Sequence, residues 1–244
     1  MHVEYHNWFS HALGHDMSFK VYGHYGQPVI AFPAQDGRYY DFENFGMLEA
    51  CAGLIDAGRV KIVAVDGVDW QSWTNQGAHP TDRARRHEDY DRHIVQEIVP
   101  WVQNNTGLHT MWTTGCSMGA FHAANFFFRH PDAFDGVIAL SGLYQIQDFV
   151  GEAGGASAYF NAPLWYLEHM NDPWFLDRYK NSKIVFCTGQ GAFEEAMIRD
   201  TKAMQSLLER KGIPARVEFW GHDVNHDWVW WRKQLPFFLD ELTR

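Results

Sequence analysis

The sequence predicts an α/β fold, in which a mostly parallel central sheet carries helices on both faces. Six short apolar runs, rich in β-branched or aromatic residues and bounded by glycine, proline or charged residues, indicate buried strands. Longer segments with helical spacing lie between these runs, and that alternation is typical of parallel strands covered on both sides. The chain has 244 residues, 46% of them hydrophobic, without a linker-like stretch or an internal repeat. We therefore expect one domain that spans residues 1–244.

The predicted elements follow one another in a regular order. The buried strands are predicted at residues 29–32, 60–65, 110–114, 136–140, 184–187 and 217–220. The helices are predicted at residues 82–104, 120–129, 194–211 and 228–242. Residues 17–24 predict one more strand, which we expect to pair antiparallel at an edge of the sheet. Because ligands of such folds bind at the carboxyl ends of the strands, the loops after the strands should carry the chemistry.

Charge and composition narrow the classes of partner. The formal net charge is −10, and an acidic surface repels the phosphate backbone of nucleic acid. No apolar stretch approaches the roughly 20 residues that span a bilayer, so we expect no membrane segment. The N-terminus has neither a basic start nor an apolar run, and the three cysteines lack the close spacing of a disulfide framework. We therefore expect a cytoplasmic protein that acts on a small molecule. The sequence leaves open whether the protein forms a homo-oligomer.

A candidate nucleophile stands in the sequence Gly115-Cys116-Ser117-Met118-Gly119. These residues match G-x-S-x-G, and they follow a predicted strand and precede a predicted helix, as a nucleophile elbow requires. Such a sharp turn strains the residue at its apex and leaves room only for small neighbours, which Gly115 and Gly119 provide. The pattern predicts that Ser117 attacks a substrate carbonyl, while amides of the helix behind it stabilise the oxyanion. The alternative is a chance match in a glycine-rich turn.

A serine hydroxyl needs a base to take its proton, and two histidines are candidates. In folds with this elbow the chain order is serine, acid, histidine, so the base should lie in the loop before the last helix. His222 and His226 both lie there, and we favour His226 because it stands next to the helix. Two histidines four residues apart could also bind a metal ion. No carboxylate site accompanies them in the sequence, so we expect neither a metal nor a cofactor.

The acid that orients the histidine should follow the strand predicted at residues 184–187. Glu194 and Glu195 are the candidates there, since Asp200 lies further into the helix. We favour Glu194, and Asp223 is a more remote alternative. A pair of glutamates at a helix start also has a purely structural explanation, because it complements the helix dipole.

Four places in the chain resemble the esterase D-type branch of the α/β hydrolases. This branch includes S-formylglutathione hydrolases, siderophore esterases, feruloyl and acetyl-xylan esterases, and mycolyltransferases. Residues 32–38 resemble the family's strand followed by an Asp-Gly oxyanion turn, and residues 115–119 resemble its elbow. A Gly-x-x-x-x-Glu pattern that ends at Glu194 is similar to the siderophore-esterase acid loop. His226, followed a few residues later by a Trp-Arg pair, resembles the family's ending.

The resemblance implies an α/β-hydrolase fold and a serine esterase with a catalytic triad. Carried over by position, Ser117 is the nucleophile, Glu194 the acid and His226 the base. The main-chain amide of Met118 is one oxyanion donor, and that of Arg38, or of the glycine before it, is the other. The enzyme would hydrolyse carboxylic esters of small molecules through an acyl-enzyme intermediate.

Residues 143–182 form a longer segment than a plain connection needs, and they are rich in aromatic residues. Hydrolases of this fold usually insert a lid or a pocket wall at this point of the chain. The rings could therefore bind an aromatic acyl group or a sugar. The alternative is a small core that only covers the sheet.

Two other functions stay open from the sequence alone. The same acyl-enzyme could pass its acyl group to an alcohol or a sugar, which would make the protein an acyltransferase. A hydrolase scaffold can also serve as a non-catalytic binding protein, whose signature would be the loss of a triad member. All three triad candidates are present in the sequence, and this favours the esterase.

Overall fold

The computed structural model describes residues 1–151 and 155–244, and an eight-stranded sheet forms its centre. The strands are β1 (Val3–Ser10), β2 (His15–Tyr22), β3 (Gln27–Phe32), β4 (Val60–Val65), β5 (Met111–Cys116), β6 (Phe134–Leu140), β7 (Lys183–Thr188) and β8 (Arg216–Phe219). Their order across the sheet is β1-β2-β4-β3-β5-β6-β7-β8. β2 pairs antiparallel with β1 and β4, and all other neighbours are parallel. The predicted, mostly parallel sheet is confirmed.

The predicted edge strand is wrong in its position. Residues 17–24 fall largely in β2, which lies inside the sheet between β1 and β4. The edge is β1, which sequence reasoning missed. Its residues 3–9 alternate between exposed and half-buried positions, and Glu4, His6 and Asn7 interrupt its apolar side chains, so no long apolar run marks it.

Helices connect the strands and cover both faces of the sheet. The helices are α1 (Asp41–Asn44), α2 (Met47–Ala50), α3 (Ala52–Asp56), α4 (Pro80–His93), α5 (Val99–Thr106), α6 (Met118–Arg129), α7 (Gln147–Val150), α8 (Gly155–Tyr159), α9 (Pro163–His169), α10 (Pro173–Lys180), α11 (Glu195–Arg210) and α12 (Trp228–Leu242). A π-helical turn, Ile94–Ile98, joins α4 to α5. Helices α4, α5, α6 and α11 pack on one face of the sheet, and helices α1 to α3 and α12 pack on the other.

Each face of the sheet has its own apolar core. Along β4, Val63 and Val65 belong to the core under α6, whereas Ile62 and Ala64 belong to the core under α12. Successive side chains of a strand point to opposite faces, so a strand covered on both sides must be largely apolar. This requirement explains why the central strands appear in the sequence as short, continuous apolar runs.

The predicted insert, residues 143–182, holds helices α7 to α10, and residues 152–154 within it lie outside the described part of the chain. Ile146, Val150 and Ala158 pack with Trp73 and Met118 in a third, smaller core beside the start of α6. The insert therefore packs against the elbow region. Within residues 1–151 and 155–244, every helix falls short of the length and apolar character that a membrane span needs.

Candidate active site

Backbone strain concentrates at the carboxyl edge of the parallel strands. Four non-glycine residues of the described chain have a positive φ: Asp36 (55°), Ser117 (57°), Ser141 (54°) and Phe193 (66°). They follow β3, β5, β6 and β7 in turn. The left-handed region costs an L-residue roughly 1–2 kcal/mol, so such residues persist only where the surroundings enforce them. Their clustering at one edge marks this edge as the candidate active site.

Steric contact fixes the elbow at Ser117. A Cβ on Gly115 would lie 2.2 Å from the carbonyl oxygen of Gly119, and a Cβ on Gly119 would lie 2.5 Å from that of Phe32. Neither position can hold a side chain, because real Cβ atoms do not approach backbone so closely. The Ser117 amide donates a 2.9 Å hydrogen bond to the Leu140 carbonyl, which ties the turn to β6. The sequence G-x-S-x-G therefore forms the predicted turn between a strand and a helix.

The structure brings His226 to Ser117. Its Nε2 lies 2.9 Å from the Ser117 Oγ, although 109 residues separate the two in sequence. The His226 amide donates to the Ala192 carbonyl at 3.0 Å, and the Trp231 ring stands edge-on to the imidazole at 4.8 Å. These contacts hold the imidazole in place. His222, the other candidate in this loop, is exposed at the surface.

Glu194 lies behind the imidazole and is fully buried. Its Oε2 is 3.6 Å from the His226 Nδ1, which is within ion-pair distance and longer than a hydrogen bond. The Ser141 hydroxyl donates to Oε1 at 2.7 Å, and the Thr188 hydroxyl donates to Oε2 at 2.8 Å. The carboxylate is therefore fixed by two hydroxyls and faces the imidazole. Such hydrogen bonds are often long in the absence of substrate and shorten when it binds.

The other carboxylates weighed from the sequence are placed elsewhere. Glu195 and Asp223 are exposed. Asp200 is buried, but its Oδ2 accepts from the main-chain amides of Tyr144 at 2.8 Å and Gln145 at 3.2 Å, which anchors the start of the insert. Of the four candidates, the structure brings Glu194 to the imidazole.

Sequence reasoning missed the residues that hold Glu194. Trp231 donates from Nε1 to the Ser141 Oγ at 3.1 Å, while the same oxygen donates to Glu194. Ser141 is fully buried, and its strained backbone directs the hydroxyl into the site. One signal was available. A serine directly after the strand predicted at residues 136–140 stands at the same edge as the elbow.

Two backbone amides are candidates for the oxyanion site. Met118 is the first residue of α6, where a helix amide has no partner within the helix. In the turn after β3, the Gly37 amide donates to the Ala34 carbonyl at 2.9 Å, so it is already engaged. The Arg38 amide is the other candidate. Its guanidinium forms hydrogen bonds with Asp66, which raise the pKa of Arg38 above its ordinary value.

The thiol next to the nucleophile is not a competing nucleophile. Cys116 is buried in the core below the sheet edge, and this burial raises the pKa of its thiol well above the ordinary value, so the thiol stays protonated at neutral pH. Among the residues whose side chains the structure describes, no three histidines, cysteines, aspartates or glutamates are grouped to hold a metal ion.

The Ser117 hydroxyl lies on a strained turn between a strand and a helix, within hydrogen-bond distance of an imidazole from the loop before the last helix. This arrangement is typical of serine hydrolases of the α/β-hydrolase fold. The family described as "Putative esterase" matches residues 10–241, and the chain belongs to this family. It is a hydrolase of carboxylic esters, as the sequence predicted.

Solved structures share this fold over the whole chain at low sequence identity. A ferulic acid esterase is 17% identical, with 100% of this chain and 97% of that chain covered and a TM-score of 0.78. An S-formylglutathione hydrolase from Agrobacterium tumefaciens is 14% identical, with 99% and 94% covered and a TM-score of 0.75. FphF, a fluorophosphonate-binding serine hydrolase from Staphylococcus aureus, is 16% identical, with 100% and 98% covered and a TM-score of 0.74.

The resemblance to esterase D-type enzymes is confirmed by the family match and by these neighbours. A comparison with curated protein sequences finds no match.

Proposed function

We propose that the protein hydrolyses carboxylic esters through an acyl-enzyme on Ser117, with His226 as the base and Glu194 as the acid of a triad. The distance of 2.9 Å between the Ser117 Oγ and the His226 Nε2 carries this proposal. It joins a hydroxyl on a strained backbone to the one imidazole that the final loop directs at it.

In the acylation step, the Ser117 Oγ attacks the ester carbonyl while its proton passes to the His226 Nε2. The carbonyl oxygen becomes negative as the tetrahedral intermediate forms, and the amides of Met118 and Arg38 donate hydrogen bonds to it. His226 then gives the proton to the leaving alcohol, the bond between carbonyl carbon and alcohol oxygen breaks, and the acyl group stays on Ser117. A water molecule then gives a proton to His226 and attacks the acyl carbon, the bond between this carbon and the Ser117 Oγ breaks, His226 returns the proton to Oγ, and the free acid leaves.

Glu194 would act on the imidazole alone. With Nδ1 protonated, Nε2 is the acceptor that Ser117 needs, and a carboxylate opposite Nδ1 favours this tautomer. When His226 takes the proton, its positive charge strengthens the attraction, and the gap of 3.6 Å can close to a hydrogen bond. Ser141 and Thr188 keep the carboxylate facing the ring during both steps.

We further propose that the preferred esters carry a flat ring near the scissile bond. Trp70 is 54% exposed in the loop after β4, and Phe193 is 79% exposed beside Glu194, so both rings are open to a ligand. Trp228, two residues after His226 in the chain, stacks on Phe45 with the ring centroids 4.7 Å apart. Exposed aromatic rings near a reactive group can bind planar groups by stacking. The ferulic acid esterase among the structural neighbours supports the same substrate class.

A fluorophosphonate probe, with mass spectrometry of the labelled peptide, tests the nucleophile. We expect the label on Ser117, and we expect the Ser117→Ala variant to lose on the order of 10⁴-fold or more in kcat on p-nitrophenyl acetate. Ser206→Ala, at an exposed position of α11, is the matched control and should keep full activity. Full activity of Ser117→Ala would refute the proposal. Competition by added alcohols would show whether the acyl group passes to water or to another acceptor.

A further inference from the structure

We infer that Asp69 is a positioning residue that holds the two oxyanion amides at a fixed separation. This inference rests on the proposed function, in which Met118 and Arg38 donate those amides. Asp69 is 2% exposed and begins a short 3-10 helix, Asp69–Gln71, at the end of the loop after β4, which contributes no group to the triad. Its two carboxylate oxygens contact two different elements of the oxyanion site.

The first contact is with the turn that carries Arg38. The Asp69 Oδ2 accepts from the main-chain amide of Asp36 at 3.4 Å. Asp36 has a φ of 55°, and its own carboxylate accepts from the Thr74 hydroxyl, so both its backbone and its side chain are tied to the segment after β4. A strained residue keeps its conformation only when its neighbours hold it, and these two contacts do so.

The second contact is with the helix that carries Met118. The Asp69 Oδ1 lies 2.8 Å from the His122 Nε2, and His122 is 2% exposed. His122 follows Met118 by four residues in α6, so it lies one helical turn below the oxyanion amide. One carboxylate therefore bridges the turn and the helix that supply the two donors.

The rest of the loop after β4 contacts the same turn. Asp66, which is 4% exposed, accepts from the Arg38 Nε at 2.6 Å, from Nη2 at 2.8 Å and from the Tyr39 amide at 3.2 Å. A Cβ on Gly67 would lie 2.9 Å from the Gly37 carbonyl oxygen, so the two backbones touch. Asp66 thus holds one end of the turn and Asp69 holds the other, with the Arg38 amide between them.

Stabilisation of the oxyanion depends on the positions of the two donor amides. An oxyanion donor acts only when it lies about 2.7–3.1 Å from the position that the charged oxygen will occupy. A displacement of about 1 Å can cost on the order of 100-fold in rate. Because Met118 and Arg38 come from segments that are 80 residues apart in sequence, their spacing needs a tertiary link. The pairing of β3 with β5 brings the two segments together, and Asp69, paired with His122, is the side-chain link between the turn and the helix.

The test compares the pair of Asp69 and His122 with a second carboxylate–histidine pair, which joins α4 to the C-terminal end of α6. Asp91, which is 6% exposed, lies 2.8 Å through Oδ2 from the Nε2 of His130, at the far end of α6. His130 is 21% exposed and Asp91 also pairs with Arg129 at 3.2 Å. The pair of Asp91 and His130 nevertheless resembles Asp69 and His122 in chemistry, and its hydrogen bonds do not reach the turn after β3. Asp91→Asn is therefore the matched control for Asp69→Asn and Asp69→Ala.

We expect Asp69→Ala to lower kcat on p-nitrophenyl acetate by about 30-fold or more, with KM changed by less than about threefold, because transition-state contacts are lost. The affinity for phenylboronic acid, whose serine adduct places an oxygen in the oxyanion site, should fall in parallel. Asp69→Asn keeps an acceptor for the Asp36 amide and should recover part of the loss. Asp91→Asn should lower the melting temperature and leave kcat within about threefold.

His122→Phe provides a second variant that keeps a flat ring without the hydrogen bond. Its loss in kcat should not add to that of Asp69→Ala, because the two residues act through one contact. If Asp69→Asn and His122→Phe keep wild-type kcat and boronate affinity and only lose stability, Asp69 has a structural role and the inference is overturned. Fluorophosphonate labelling of the wild type separates the two proposals, since failure to label Ser117 would refute the proposed function itself.

Discussion

The elbow and the acid–base loops form the two halves of the site, and they are built in different ways. The elbow lies within five consecutive residues, and backbone contacts at Gly115 and Gly119 leave it no freedom. The acid–base half joins Glu194 and His226 from separate loops, after β7 and β8, through hydrogen bonds and ring contacts. The elbow places its hydroxyl 2.9 Å from the imidazole, whereas the carboxylate stands 3.6 Å from the opposite nitrogen.

The difference shows which distance in the site can still change. Steric contacts of Gly115 and Gly119 fix the backbone that carries Ser117, and a bound substrate cannot change them. The carboxylate is held by two hydroxyls, and its hydrogen bond to the imidazole is still to form. The His226 Nδ1 is buried and has no hydrogen-bond partner among the described residues. A buried polar atom without a partner costs free energy. When the imidazole is protonated, a hydrogen bond from Nδ1 to Glu194 would remove this cost.

The largest expected effect comes from removing the base, where the two halves meet. His226→Ala should lower kcat by on the order of 10⁴-fold, and the double variant with Ser117→Ala should lose little more, because triad members act as a unit. Steady-state kinetics on p-nitrophenyl acetate measures both. His222→Ala, in the same loop but exposed, should stay within about twofold. Additive losses would show that the serine and the histidine do not work together.

The acid should matter less than the base, because it acts through the imidazole. Glu194→Gln keeps the shape of the side chain and removes its charge, so kcat should fall by about 10²- to 10⁴-fold with KM nearly unchanged. Glu195→Gln is the neighbouring control and should behave as the wild type. Equal losses in both variants, or a loss confined to Glu195→Gln, would contradict the assignment of Glu194.

The same contrast explains what the sequence could predict. The elbow was predictable because its constraint is local, with the strand, the two glycines and the helix adjacent in the chain. The parallel strands were predictable because both faces are covered, which requires apolar runs such as Val60–Val65. β1 escaped prediction because its outer positions are exposed and its polar residues interrupt the pattern.

The supports of the acid could not be predicted in the same way. Thr188 and Ser141 become partners of Glu194 only because β6 and β7 are adjacent in the sheet, and the chain separates them by 47 residues. The contacts of Asp69 with Asp36 and His122 likewise arise from sheet order, since β3 lies between β4 and β5. Hydrogen bonds across strand ends leave no periodic signal in the sequence.

A smaller effect is expected from the hydroxyls that fix Glu194. Thr188→Val keeps the volume of the side chain and removes the donor to Oε2, so the carboxylate becomes less well oriented. We expect kcat to fall by about tenfold, since positioning is weakened while the charge remains. Thr201→Val, at a fully buried position of α11, tests whether any buried threonine would do the same. Its kcat should match the wild type, and a tenfold loss there would remove the special role of Thr188.

The smallest expected effect concerns the strain that both halves share. Ser117 and Phe193 each have a positive φ, which glycine adopts without a steric penalty. Glycine at either position should therefore be more stable than alanine by about 1 kcal/mol, or about 2–4 °C in melting temperature.

Scanning calorimetry of the four variants decides this point. Phe193→Ala removes the exposed ring but keeps the strained backbone, so the difference between Phe193→Gly and Phe193→Ala isolates the backbone. If this difference vanishes at Phe193 but persists at Ser117, the acid loop relaxes where the elbow cannot. Strain would then be confined to the elbow, which steric contact fixes. The backbone of the loop that carries Glu194 would be able to adjust, as the distance between Glu194 and His226 can.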